Sequence, residues 1–132
     1  MASIRRELRL RVAPAVVWDA LRDVGALHRR LAVGFVRDVQ LEEGARVVTF
    51  ASGLVARELI VAVDDDARRV VWSVVGGRMT HHNASAQVFE EPGGGSRFVW
   101  IADLLPHELA PFVSAMIDEG LGAIQQTLDP AT

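Results

Sequence analysis

Apolar residues in the last quarter of the chain recur at steps of three and four: Leu105, Leu109, Phe112, Val113, Met116, Ile117, Leu121, Ile124 and Leu128. That repeat places side chains on one stripe of an α-helix, so residues 106–128 are predicted as one long amphipathic helix. Glu108, Ser114, Asp118, Glu119, Gln125 and Gln126 fall mostly on its other side. Pro106 suits an opening turn, where its missing N–H has no intrahelical partner. Pro111 leaves two readings open: the helix proper starts there, or a looser turn precedes it.

Upstream, the period shortens to two. Residues 4–12 alternate, with Leu8, Leu10 and Val12 on one face and Glu7, Arg9 and Arg11 on a solvated one, which reads as a strand. Pro14 opens a short helix to about Val24, with a buried stripe of Val17, Trp18, Leu21 and Val24. Gly25 stops it and residues 27–31 add one more turn. Residues 34–40, 46–51 and 54–63 read as strands joined at Glu42-Glu43-Gly44 and Ser52-Gly53. Residues 69–75 are nearly continuous Val and Trp, a strand buried on both faces and closed by Gly76-Gly77. Residues 80–89 and 96–103 are two longer strands. The order is strand, short helix, about six antiparallel strands, long helix. An α+β layer of one sheet covered by one helix follows, in a single domain over residues 1–132.

Composition narrows the chemistry. Lysine and arginine together number 14 and cysteine is absent. Every one of those cations is arginine, and there is no tyrosine. Schiff-base chemistry, a lysine base, a phenolic acid and a cysteine nucleophile are thereby excluded. A net charge of −3 argues against a nucleic-acid partner. No apolar run approaches the roughly 20 residues of a membrane span. The first residues carry Arg5, Arg6, Arg9 and Arg11 and nothing resembling a signal peptide, so a cytoplasmic protein is expected. Asp64-Asp65-Asp66 lacks the alternate spacing and closing Glu of a calcium loop and reads as a turn. The glycine run 93–95 leads into a strand without phosphate-loop spacing. His107-Glu108 lacks the second histidine of a zinc-protease helix. No metal and no cofactor are expected.

The sequence resembles the START and birch-pollen-allergen (SRPBCC) superfamily, which includes polyketide cyclase/dehydrase-like proteins. Four pieces carry the likeness: Val12-Ala13-Pro14-Ala15-Val16-Val17-Trp18 with Leu21, the strand from Glu58 to Asp65, Trp72 to Gly77, and the C-terminal helix. Val74-Val75-Gly76-Gly77 followed by Asn83 is similar to the plant abscisic-acid receptors. Ser52-Gly53-Leu54, however, lacks the receptors' following proline, Met79-Thr80-His81 replaces their latch, and no lysine exists to pair with a hormone carboxylate. Hormone reception does not follow. The resemblance implies a helix-grip fold: a curved antiparallel sheet of about six or seven strands around the long helix, with short helices after the first strand. It also implies a cavity between sheet and helix for a small hydrophobic molecule.

Periodicity leaves open whether Glu58 shares an inner face with Ile60 and Ala62 or lies outward opposite Leu59, Val61 and Val63. The family register turns Glu58 inward. It also puts His82, Ala84 and Ala86 on the cavity side, with His81 and Asn83 outside. The expected ligand-binding set is Glu58, Ile60, Trp72, Val74, His82, Ala84, Ala86, Trp100, Phe112, Met116 and Gly120. Gly120 sits on the helix's inward stripe, where a missing side chain serves either close approach of the sheet or space for a ligand; the resemblance, in which the helix lines the cavity at this position, favours space for a ligand. The expected function is binding or carriage of a small hydrophobic ligand, as in lipid transport. The alternative is a polyketide cyclase or dehydratase using Glu58 and His82 as acid and base. Self-association as a homodimer is left open.

Overall fold

The computed structural model describes residues 2–130, so the extreme ends of the expected domain lie outside the described residues. The chain runs β1 (Ala2–Leu10), α1 (Pro14–Arg22), a π-helical turn (Leu27–Leu31), β2 (Val36–Glu42), β3 (Ala45–Phe50), β4 (Val55–Asp64), β5 (Arg69–Val75), β6 (His81–Glu90), β7 (Ser96–Leu105), a 3-10 turn (His107–Leu109) and α2 (Ala110–Leu128). All seven strands form one antiparallel sheet in the order β1-β7-β6-β5-β4-β3-β2. Neighbours in sequence are neighbours in space except β1, which pairs with the last strand, Ile4 opposite Ala102 and Leu10 opposite Ser96. This curved open sheet with its long C-terminal helix is the helix-grip α+β fold. Among the described residues no helix is long and apolar enough to cross a membrane.

The short helix buries Val17, Trp18 and Leu21 and ends at Arg22, so Val24 lies beyond it. The aspartate turn anchors it. The Trp18 indole N–H donates to Asp65 Oδ1 at 3.0 Å and Arg22 Nε donates to the same oxygen at 2.9 Å. These donors, Arg22 first, hold the Asp65 carboxyl below its ordinary range. Asp64 Oδ1 accepts from the Ala67 N–H at 3.0 Å and closes the turn.

The long helix starts later than its periodicity suggests. Pro106 is extended (φ −71°, ψ 150°), a 3-10 turn follows, and α2 begins at Ala110 with Pro111 in its first turn, where proline's missing donor costs nothing. Val113, Ile117, Leu121 and Ile124 are buried, whereas Phe112 is 52% exposed. The helix is tied to β1 and to the residue that follows that strand. Arg6, on the same side of the strand as Leu8, reaches Ser114 Oγ at 2.6 Å and Asp118 Oδ1 at 3.2 Å. Arg11 donates its backbone N–H and its Nε to the Asp129 carboxylate, each at 2.8 Å. Arg11 thereby holds that carboxyl below its usual range.

Candidate functional site

Between the inner face of the sheet and α2 lies a chamber of about 270 Å³. Its wall from α2 is Val113, Met116 and Ile117; its floor on the sheet includes Trp72, Trp100 and Ala102. A deeper chamber of about 70 Å³ reaches Leu21, Leu31, Ala86, Gly120 and Ile124. Phe35, Phe50, Glu58, Trp72 and Trp100 border both hollows and so form the partition between them. The aromatic members pack edge to face, Phe35 with Phe50 at 5.2 Å and Trp72 with Trp100 at 6.0 Å, an arrangement that ring quadrupoles favour.

The mouth exists because β5 and β6 stop pairing early. Their register runs from Arg69 opposite Gln87 to Trp72 opposite Ala84. Beyond that point side chains carry the cross-strand bonds. The Ser73 hydroxyl donates to the His82 carbonyl, and the Val74 N–H donates to His82 Nδ1 at 3.0 Å. The strands then separate into Gly76 and Gly77, whose φ values of 82° and 67° belong to the left-handed region that glycine enters freely. Leu54 to Arg57, Val74 to Met79, and Leu109 with Phe112 surround the opening. Leu54, Val55, Val75 and Phe112 are exposed there, a ring of apolar side chains about the entrance.

Two titratable groups, Glu58 and His82, are buried in the lining of the outer chamber. Glu58 faces inward, its Oε1 accepting from Arg46 Nε at 2.8 Å, with side-chain exposures of 8% and 4%. Arg46 also donates Nη1 to the Val24 carbonyl at 3.3 Å and lies over Trp72, 5.4 Å from the ring centroid. The pair follows from strand register, since Arg46 stands directly opposite Glu58. Neither simple alternation describes the whole of β4. The register shifts between Ile60 and Ala62, and Val61, the extra residue of this bulge, is 58% exposed. His82 is 8% exposed. Burial, helped by the nearby His81, pushes its pKa down to about 4 against the opposite pull of Asp103. It is neutral at physiological pH, with Nδ1 already accepting a backbone proton.

Of the residues expected from sequence, Glu58, Trp72, Val74, His82, Trp100, Phe112 and Met116 border the outer chamber. Ala86 and Gly120 border the inner one. Ile60 and Ala84 border neither: Ile60 sits at the bulge of β4, and Ala84 is 2% exposed within the core. Contrary to the expectation of ligand space, the room over Gly120 is taken by Trp100 of β7 and by Phe35 just before β2, because a Cβ there would stand 2.9 Å from Trp100 Cζ3 and 3.1 Å from Phe35 Cε2. Sequence reading missed Phe35, Phe50, Arg46, Arg57, Arg78 and Ile117. Arg46 alone carried a readable signal: counting back from the Ser52-Gly53 turn sets it against Glu58.

A family model described as polyketide cyclase / dehydrase and lipid transport matches residues 1–129. No curated protein matches the sequence. Among solved structures, the protein XoxI from Bacillus cereus superposes with a TM-score of 0.87 at 20% identity, over 97% of this chain and 96% of that one. An uncharacterised protein from Bacillus thuringiensis gives 0.85 at 18% identity, over 96% and 98%. A Thermobifida fusca protein gives 0.75 at 23% identity, over 97% and 91%. At such identities the likeness is one of fold.

Proposed function

The chain belongs to the polyketide cyclase/dehydrase and lipid-transport family, and we propose that within it this protein binds or carries a small hydrophobic molecule in the outer chamber. One observation carries the reading: the chamber is apolar nearly throughout, and both of its buried titratable groups are already engaged. A binding pocket needs an apolar enclosure and only a few polar anchors, and Trp72, Val113, Met116 and Ile117 provide the enclosure. An acid–base pair needs groups free to exchange a proton with substrate. Glu58 is held by Arg46, and His82 spends Nδ1 on the backbone of β5. These bonds favour binding over the cyclase or dehydratase alternative. A reducing cytoplasm suits a chain without cysteine.

Native mass spectrometry of the purified protein, looking for a co-purified small molecule, tests the reading together with titration by Nile red, a neutral apolar dye. Saturable binding at one site, lost in Met116→Trp, is expected. No bound molecule and no saturable dye binding would overturn it.

A further inference from the structure

We propose that the molecule taken up by the outer chamber carries an uncharged oxygen acceptor, a ketone or ester carbonyl, and that the His82 Nε2–H donates to that oxygen. This rests on the binding reading above and names the ligand class. The two nitrogens of the His82 ring have different surroundings. Nδ1 accepts the Val74 N–H at 3.0 Å, so a neutral ring carries its single proton on Nε2. Burial keeps the ring neutral near pH 7. Nε2 has no hydrogen-bond partner among the described residues, and it is not walled in. The unpartnered side-chain nitrogens sealed inside the protein there are His28 Nδ1 and Arg97 Nε. His82 is 8% exposed and lines the outer chamber. It sits on the sheet's inner face, opposite the fully buried Leu104 of β7. The free donor therefore opens on to the chamber.

Nothing else in the lining answers it. Val74, Met79, Ala102 and Leu109 bring no side-chain oxygen. Glu58 stands in the same row across the sheet, opposite Val74, but its Oε1 is turned to Arg46. A wholly apolar ligand would displace water from Nε2 and leave the donor unpaired, which costs more than a hydrogen bond gains. A ligand with an oxygen there avoids that loss. The head is uncharged because the cations of the lining stand elsewhere. Arg46 is committed to Glu58, and Arg78 is exposed at the mouth. Arg57, one residue from Glu58, projects from the other face of β4 and meets Glu42 at 3.0 Å. A carboxylate brought to His82 would be buried without a counter-ion. An ammonium or other N–H head would set its own proton against the one on Nε2. A carbonyl needs a single donor and brings no proton, which matches what the ring offers.

Three tricyclic probes share one shape and differ at one position: 9-fluorenone offers an oxygen acceptor, fluorene a methylene and carbazole an N–H donor. Each competes with Nile red on the full chain at pH 7.5, and ratios of inhibition constants are compared so that the dye's own affinity cancels. Fluorenone should bind at least about fivefold tighter than fluorene, although fluorene is the more hydrophobic, with carbazole weakest. The fluorenone carbonyl stretch should move to lower frequency in the complex than in a hydrocarbon solvent. His82→Asn keeps an oxygen for the Val74 N–H but is too short to reach as far as Nε2. His82→Gln reaches that far with an N–H and gives up the Val74 bond. The asparagine variant should lose the fluorenone preference and the infrared shift while holding fluorene within about twofold; the glutamine variant should retain part of both. Equal affinity for fluorenone and fluorene in the unaltered protein would overturn the proposal and leave the binding reading standing. A preference that survives in His82→Asn would also overturn it, because the oxygen would then be held elsewhere. If neither variant folds, the unaltered protein decides: without the shift of the carbonyl stretch the proposal falls. Failure of all three probes and of the dye would remove both.

Discussion

Replacing Glu58 by leucine would strand the Arg46 guanidinium in the core. Its side chain is 4% exposed, and the partners left to it are the Val24 carbonyl at 3.3 Å and the face of Trp72. Removing one member of a buried pair typically costs about 3–5 kcal/mol, because an uncompensated charge remains. At roughly 4 °C per kcal/mol for a domain of this size, the melting midpoint should fall by about 12–20 °C. Glu58→Gln keeps an acceptor for the guanidinium, so it should lose less than Glu58→Leu by about 1.5–3 kcal/mol, the worth of a hydrogen bond to a charged group. Arg46→Met combined with Glu58→Leu removes the stranded charge and fills the space with apolar atoms. It should return to within ~1 kcal/mol of the starting protein. Urea melts of these proteins and of Arg46→Met alone, with the slope unchanged, complete the double-mutant cycle. If Glu58→Leu cost under ~1 kcal/mol and added independently to Arg46→Met, the pair would be bathed by water from the chamber. Glu58 would then be free to meet a substrate, and the case against an acid role would lose its footing.

Three other outcomes follow from the same geometry. His82 is depressed to about 4 in the folded protein and near 6.5 when unfolded, so between those values the unfolded chain binds more protons and stability rises with pH. The gain is complete above about 6.5 and is lost towards 4, and His82→Asn, which keeps an acceptor for the Val74 N–H, should flatten that slope in melts taken from pH 4 to 7.5. Asp129 behaves in the opposite range: its carboxyl is held low by Arg11, so its contribution is present above about 3.8 and fades as acid protonates it. Asp129→Asn should therefore lower the midpoint at pH 7 and narrow the difference from the parent protein near pH 2. Phe112→Ser at the exposed rim should leave the melting midpoint within about 2 °C while weakening Nile red binding, read by fluorescence titration.

The fold was legible because its signals are local. Period two marked the strands, period three-to-four marked α2, and Pro14, Gly25 and the Gly76-Gly77 pair marked ends. The site depended on relations between segments that no local period records. The inward turn of Glu58 is one, since the β4 bulge at Val61 makes either alternation fit half the strand. The separation of β5 from β6 beyond Trp72 is another: it opens the mouth, and it rests on His82 and Ser73 replacing backbone partners across the gap. Gly120 shows the limit most sharply. From sequence its missing side chain suited either a ligand or a close approach by the sheet, and the resemblance favoured the ligand. The structure supplies the approach, with Trp100 and Phe35 within about 3 Å of where a Cβ would stand. Those same rings divide the two chambers, so the glycine sets where the partition stands. Gly120→Ala brings two effects of opposite sign: a helix-propensity gain of about 1 kcal/mol and an overpacking cost of about 1–3 kcal/mol. The crowded atoms are the outer edge of Trp100, which borders empty space on the side of the outer chamber. The ring can therefore yield into that space, and the net loss should stay below about 2 kcal/mol. The substitution should shrink the outer chamber and shift tryptophan fluorescence, and Trp100→Phe in the same chain should restore dye binding. An unshifted spectrum with unchanged dye affinity would mean that Trp100 does not bear on Gly120, and the partition would then owe nothing to the glycine.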